Sequence, residues 1–378
     1  MKFPIYLDYN ATTPVDERVF EAMKPFFMEQ FGNAASSGHA FGNRAKSAVE
    51  ESRSIIAQAI NASPEEIIFT SGATESNNLA IKGADKMLAD KGNHIITAVT
   101  EHKAVLDTCK SLEKDGVEVT YLSVDDEGSV PLSDIVAAIS DRTILVTLMH
   151  GNNEIGTLHD IQKIGEMCRE KGVWFHTDST QTIGKIPFDV KAMYVDMASL
   201  TAHKIYGPKG VGALYVRNGC KVIPQIDGGG HESGMRSGTL NVPGIVGFAK
   251  SIEVALADME RDITHCSGLR NRLWEFLKTI DGVMLNGPNP LNDSHKRLPN
   301  NLSVSISGDN GELIAGSLMN VAVSSRSACT SASNEPSHVL RSIGRTNPNL
   351  TTLRFGIGRM TTEEEINYTI ECIRGAVE

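Results

Sequence analysis

The chain has 378 residues, 40% hydrophobic and 22% charged, a globular composition with apolar material for one large domain and a smaller one. Its 36 Lys and Arg against 46 Asp and Glu give a formal charge of −10, which repels a phosphate backbone, so nucleic acid is not an expected partner. Asp8 precedes any apolar signal core, no run reaches the roughly 18 apolar residues of a membrane span, and the six cysteines stand singly, which points to a reducing, cytoplasmic setting with no disulfide framework and no metal site.

In chain order, the segment to about residue 20 is expected to pack with the C-terminal part of the chain. From about 64 to 216, β-rich runs alternate with helical ones, as in a mostly parallel sheet covered by helices. Strands are predicted over 67–70, 94–98, 117–122, 143–148, 173–177, 196–200 and 211–216, and helices over 74–90, 102–114, 132–139 and 161–170. After Pro243 an apolar three-and-four spacing (Ile245, Phe248, Ile252, Leu256, Met259, Ile263) predicts a long connecting helix to about residue 280. Beyond it, strands near 302–307, 321–324 and 353–357 and helices near 311–319, 336–343 and 362–376 form a smaller α+β part. The expected division is 1–20 with 260–378 as the small domain and 21–259 as the large α/β domain.

Three segments carry chemistry on their own terms. Lys204 follows the apolar run 196–200 and precedes Gly207-Pro208; partial burial beside a cation would lower its pKa and make its amine a nucleophile, although a lysine at such a place more often snorkels to solvent. Asp178 closes the run Val173-Trp174-Phe175-His176-Thr177, at the strand end where open α/β sheets bind ligands; a carboxylate there keeps a pyridine nitrogen protonated, or else caps the turn at Ser179 and Thr180. Thr70-Ser71-Gly72-Ala73-Thr74 passes from strand through a Gly turn into a helix, which presents N–H groups to an anion at Ala73 and Thr74, or is an ordinary helix cap.

The segments Tyr6 to Thr13, Thr70 to Asn78, Asn152 to Gly156, Ala202 to Gly210 and Ser327 to Ser331, in this order over nearly the whole chain, resemble the NifS/IscS-type cysteine desulfurases of the class-V aminotransferase family. The resemblance implies the type I fold of pyridoxal-phosphate enzymes, a homodimer, and conversion of L-cysteine to L-alanine with a persulfide on Cys329. It implies Lys204 as the Schiff-base lysine, Asp178 on the pyridine nitrogen, Gln181 on the phenolic oxygen and His102 stacked on the ring. Ala73, Thr74, Thr201 and His203 match phosphate-holding positions, and Thr239 one that reaches the phosphate of the neighbouring subunit. Asn153 and Arg354 match the clamp on the substrate carboxylate, for which a planar guanidinium is suited; a surface ion pair is the alternative for Arg354.

Cys329 sits among small polar residues, a loop-like stretch that lets a thiolate travel between cofactor and acceptor. The other five cysteines are expected to be inert fillers. The sulfur is expected to pass to an iron–sulfur scaffold or a tRNA-thiolation relay. Arg326 stands where the family usually has glycine, Ser233 where arginine is common and Ala34 where proline is usual; Arg326 would lower the pKa of Cys329 or stiffen its loop. Many relatives continue past the equivalent of Glu378 into a tail that helps dock the scaffold. A generic aminotransferase, a non-catalytic paralogue and a selenocysteine lyase are the competing readings.

Overall fold

Apolar runs too short for helices account for the architecture, because most strands of the main sheet are covered on both faces and so read as nearly continuous hydrophobic stretches. The computed structural model describes residues 3–325, 337–347 and 349–378. Its elements are β1 (Ile5–Tyr6), α1 (Glu17–Met23), α2 (Pro25–Met28), α3 (Ala40–Ala59), β2 (Ile67–Thr70), α4 (Ala73–Met87), β3 (His94–Ala98), α5 (Lys103–Glu113), β4 (Glu118–Leu122), α6 (Leu132–Ala138), β5 (Thr143–Thr147), α7 (Ile161–Lys171), β6 (Trp174–Asp178), β7 (Met197–Thr201), β8 (Gly212–Val216), α8 (Val242–Leu277), β9 (Val283–Leu285), β10 (Asn301–Ile306), α9 (Asp309–Ser317), β11 (Val321–Ala322), α10 (His338–Ser342), β12 (Thr351–Gly356) and α11 (Glu363–Val377).

The main sheet has the order β2-β8-β7-β6-β5-β3-β4. Its pairs are parallel except β7 with β8 and β8 with β2, so β8 alone runs against the rest. Successive residues face opposite cores: Phe69, Ala198 and Tyr215 join one cluster with Val49, Ile164 and Phe248, while Ile68, Met197 and Leu214 join another with Leu79, Ile81 and Val105. Helices α3, α7 and α8 cover the first face, and α4 and α5 the second.

A second sheet, β12-β10-β9, is antiparallel, and β1 pairs with β11 in parallel. Ile5 and Leu7 lie in one cluster with Leu273, Leu302, Phe355 and Ile370. Helix α8 contributes Val242 to Ala255 to the main-sheet core and Cys266 to Leu277 to this one, so a single rigid rod is anchored in both. No helix among the described residues is long and apolar enough to cross a membrane. Helices α1 to α3 and strands β1 and β9 lie outside the sequence reading, and α4 ends at Met87, three residues earlier than its pattern suggested.

Candidate active site

The C-terminal ends of β2, β3, β5, β6 and β7 open on one side of the sheet, into a cavity of about 550 Å³, a size ordinary for a small-molecule site. Ala73, Thr74, His102, Asn153, Asp178, Gln181, Thr201, His203, Lys204 and Arg354 all line it. Thr239 is exposed and lies outside its lining. Cys329, with Arg326 and the expected helix start at Pro336, lies outside the described residues.

Lys204 ends a single 3-10 turn, Ala202–Lys204, directly after β7. Its Nζ donates to the carbonyl oxygens of Asn10 and Ala11, each at 2.6 Å. Burial first, then the charges of Lys185 and Arg354, bring its pKa down to about 7, so near neutral pH a large fraction of the amine is free, where an ordinary lysine is almost wholly protonated.

Asp178 makes the expected turn cap and also lines the cavity. One carboxylate oxygen accepts from Thr180 N at 3.0 Å, the turn cap, and the other accepts from Asn77 Nδ2 at 2.8 Å. His102 caps α5 through Nδ1, which accepts from Ala104 N at 3.1 Å, and burial lowers its pKa, so a neutral imidazole faces the cavity. Beside it Glu101 is fully buried: Oε1 accepts from Met149 N at 2.7 Å, Oε2 has no partner among the described residues, and burial holds its pKa well above the usual carboxylate range.

At the other end of the cavity, Gly72 enters α4 with φ 148°, a backbone open to glycine. Close packing also matters here, since a Cβ on Gly212 would stand 2.7 Å from Gly72 Cα. No side chain caps this helix, which leaves its first N–H groups and positive dipole end for an anion. His203 Nδ1 lies 3.1 Å from Thr12 Oγ1, and burial with Lys204 and two further lysines lowers its pKa to about 4.

Arg354 is buried, which removes the surface ion pair as its explanation, but it is an ion pair all the same. Nη2 donates to Asp8 Oδ1 at 2.8 Å and Ser324 Oγ at 2.9 Å, and Nη1 to Asn153 O at 3.0 Å. Its Nε is buried and has no partner among the described residues, while the side chain lines the cavity. Gln181 donates from Nε2 to Asn10 O at 3.0 Å and accepts at Oε1 from Asn10 Nδ2 at 3.3 Å; among the described residues the second Nε2 hydrogen has no acceptor. Asn77, Asn10 and Asp8 were not singled out from sequence. They fall inside the motif segments, but only the folded chain shows that they orient Asp178, Lys204 and Arg354.

The donor set fits a flat, anionic pyridine phosphate: an uncapped helix for the phosphate, a buried carboxylate for the ring nitrogen, a neutral imidazole and an amine of lowered pKa. Among the described residues, no group of three or more His, Cys, Asp and Glu gathers as for a metal ion.

Residues 5–369 match the family described as aminotransferase class-V. Cysteine desulfurase IscS of Salmonella paratyphi B is 53% identical over 383 aligned residues, spanning 100% of this chain and 93% of that protein. A solved structure described as a NifS-like protein superposes with a TM-score of 0.90 at 38% identity, over 98% of both chains. The structure described as SspA in complex with cysteine gives 0.82 at 38% identity, over 95% of this chain and 100% of that one.

Proposed function

We propose that this chain, which belongs to the aminotransferase class-V family as a cysteine desulfurase of the NifS/IscS type, takes the sulfur of free L-cysteine onto Cys329 and releases L-alanine, with pyridoxal phosphate held on Lys204. The observation that carries the site assignment is Lys204: an amine of lowered pKa in one cavity with Asp178, His102 and an uncapped helix N-terminus. In this reading the N–H groups at Ala73 and Thr74, with Thr201 and His203, receive the phosphate. Asp178 keeps the ring nitrogen protonated, Gln181 bonds the phenolic oxygen with its remaining hydrogen, and His102 covers the ring. When bound, the cofactor supplies an electron sink for the bonds broken at the substrate's Cα and Cβ.

The chain's own groups do the rest. Arg354 and Asn153 hold the substrate carboxylate, while Lys204, as a free amine, takes the Cα proton and returns a proton to carbon. Cys329 thiolate attacks the substrate sulfur; an S–S bond forms, the Cβ–S bond breaks with its electron pair left on the carbon side, and protonation there gives alanine. One thiol and one cysteine thus become one persulfide and one alanine. Motif position supports Cys329 in this role.

Exposed Thr239, outside the cavity, suits a homodimer in which it reaches the partner's phosphate. The cluster joining Ile5 and Leu7 to the C-terminal sheet supports a small domain of 1–20 with 260–378 beside a large domain of 21–259. A sulfur acceptor for iron–sulfur assembly or tRNA thiolation, in the cytoplasm, completes the reading.

The test is Cys329→Ser. Sulfide and alanine formation from L-cysteine should fall on the order of 100-fold or more while pyridoxal phosphate stays bound; sulfur release at the full rate overturns the assignment.

A further inference from the structure

We propose that Lys185 is a positioning residue that sets the basicity of Lys204, by its charge and through an amide bridge made of Gln181 and Asn10. The proposal rests on the reading of Lys204 as the reactive amine. Lys185 lies in the crossover between β6 and β7. Its Nζ donates to Gln181 Oε1 at 3.3 Å, the oxygen that also accepts from Asn10 Nδ2 at 3.3 Å. Gln181 Nε2 donates to Asn10 O at 3.0 Å, and that carbonyl accepts from Lys204 Nζ at 2.6 Å. One amide pair therefore ties the two lysines together. The two donors on Gln181 Oε1 also fix which way that amide faces, and hence where its free hydrogen points.

Both lysines border a narrow cavity of about 30 Å³, beside the main one, with Tyr206, Asp262, Cys266 and Arg359; it has room for about one water. Nothing there neutralises Lys185. Asp262 is paired with Arg359 at 2.9 Å and Arg261 at 2.8 Å, and burial keeps the Tyr206 hydroxyl and the Cys266 thiol protonated, the thiol pushed up to about 12. Among the described residues Lys185 makes no ion pair, and burial lowers it to about 8. Around Lys204, Arg354 acts in the same direction as Lys185, and Asp8 and Asp178 oppose it; Asp8 is itself bonded to Arg354. The charge on Lys185 makes Lys204 lose its proton earlier.

The measurement is trace acetylation of the full chain freed of cofactor, using acetic anhydride across about pH 6 to 11, with the Lys204 peptide read by mass spectrometry. Wild-type Lys204 should titrate well below the ordinary value of about 10.4. Lys185→Met removes the charge, and Lys185→Gln removes it while keeping a donor to Gln181. Each should raise the Lys204 midpoint by at least about one unit, so at least about fivefold less free amine at pH 7, as expected for unit charges within about 12 Å at an effective dielectric near 20. Lys185→Arg should restore the wild-type midpoint. An unchanged midpoint in either neutral variant overturns the proposal, and so does an ordinary lysine midpoint in the wild type, whichever variants fold. Should the shift appear while borohydride fails to fix pyridoxal phosphate on Lys204, the functional reading falls and the lysine coupling stands.

Discussion

Glu232→Gln tests a heavily bonded buried ion pair beside the main sheet. Arg53, on α3, reaches Glu232 with two bonds, Nη1 to Oε2 at 2.7 Å and Nη2 to Oε1 at 2.8 Å. Arg53 Nη1 also donates to Ile67 O at 2.7 Å, and Glu232 Oε2 accepts from Phe69 N at 2.7 Å, so the pair fastens α3 to the edge strand β2. Side-chain exposure is 11% for Arg53 and 1% for Glu232. Glutamine retains one acceptor, but its NH2 must stand either at Oε1 against Arg53 Nη2 or at Oε2 against both Arg53 Nη1 and Phe69 N–H, donor against donor in either case. At least one charge-assisted bond, worth about 1.5 kcal/mol or more, is lost and the buried guanidinium loses its counter-charge, which Glu50 offsets little because it is mostly exposed. The expected cost is therefore about 3 kcal/mol, within the range for breaking a buried pair from one side. Urea unfolding followed by circular dichroism measures it. The paired replacement Arg53→Met with Glu232→Leu leaves no unpaired charge and should return to within about 1 kcal/mol of wild type. A Glu232→Gln protein within about 0.5 kcal/mol of wild type, or a double variant no better than the single, refutes the reasoning.

Asp178→Asn should leave the fold nearly untouched, at a cost of about 1 kcal/mol, because Asn77 Oδ1 has no partner and can turn to meet the new amide; alanine formation should nonetheless drop on the order of 100-fold, since no carboxylate remains to hold the ring proton. Unfolding midpoints and initial rates on one preparation separate the two effects. Asp16 gives a pH prediction: its hydrogen bonds to Arg18, with Arg359 nearby, lower its pKa to about 2 from 3.8. A depressed carboxylate stabilises the fold above its unfolded pKa, and that stability is lost as pH falls through about 4 to 2. Asp16→Ala should therefore cost about 2 kcal/mol at neutral pH and flatten the decline in stability through that window.

Legibility in the sequence followed burial. Strands β2, β3, β5, β7 and β8 are buried along their whole length, so their apolar runs marked them within a residue or so at each end. Helix α3 escaped because its buried stripe includes Gly42, Ser52 and Arg53 beside Ala45, Val49 and Ile56; a core face that holds an arginine against a distant glutamate has no apolar period to read. The three half-buried residues of β9 are too few to show alternation. The reversed direction of β8 is a property of pairing, on which a single run of apolar residues is silent.

At the site, residue type and strand-end position made Asp178 and Lys204 candidates, with the turn cap and the snorkelling lysine left open until the family resemblance, but the groups bonded to them were not visible because they arrive from far away in the chain: Asn77 stands 101 positions from Asp178, Asn10 stands 194 from Lys204, and Asp8 stands 346 from Arg354. The competing explanations offered for Asp178 and Arg354 were also less exclusive than they looked. A carboxylate has two oxygens, and Asp178 spends one on its turn and one on Asn77. A guanidinium has five N–H groups, and Arg354 is bonded to Asp8, Ser324 and Asn153 while its Nε stays unpartnered. Structural and functional roles need not compete for such side chains: at these two positions the structural bonds hold in place a charged group that also lines the cavity.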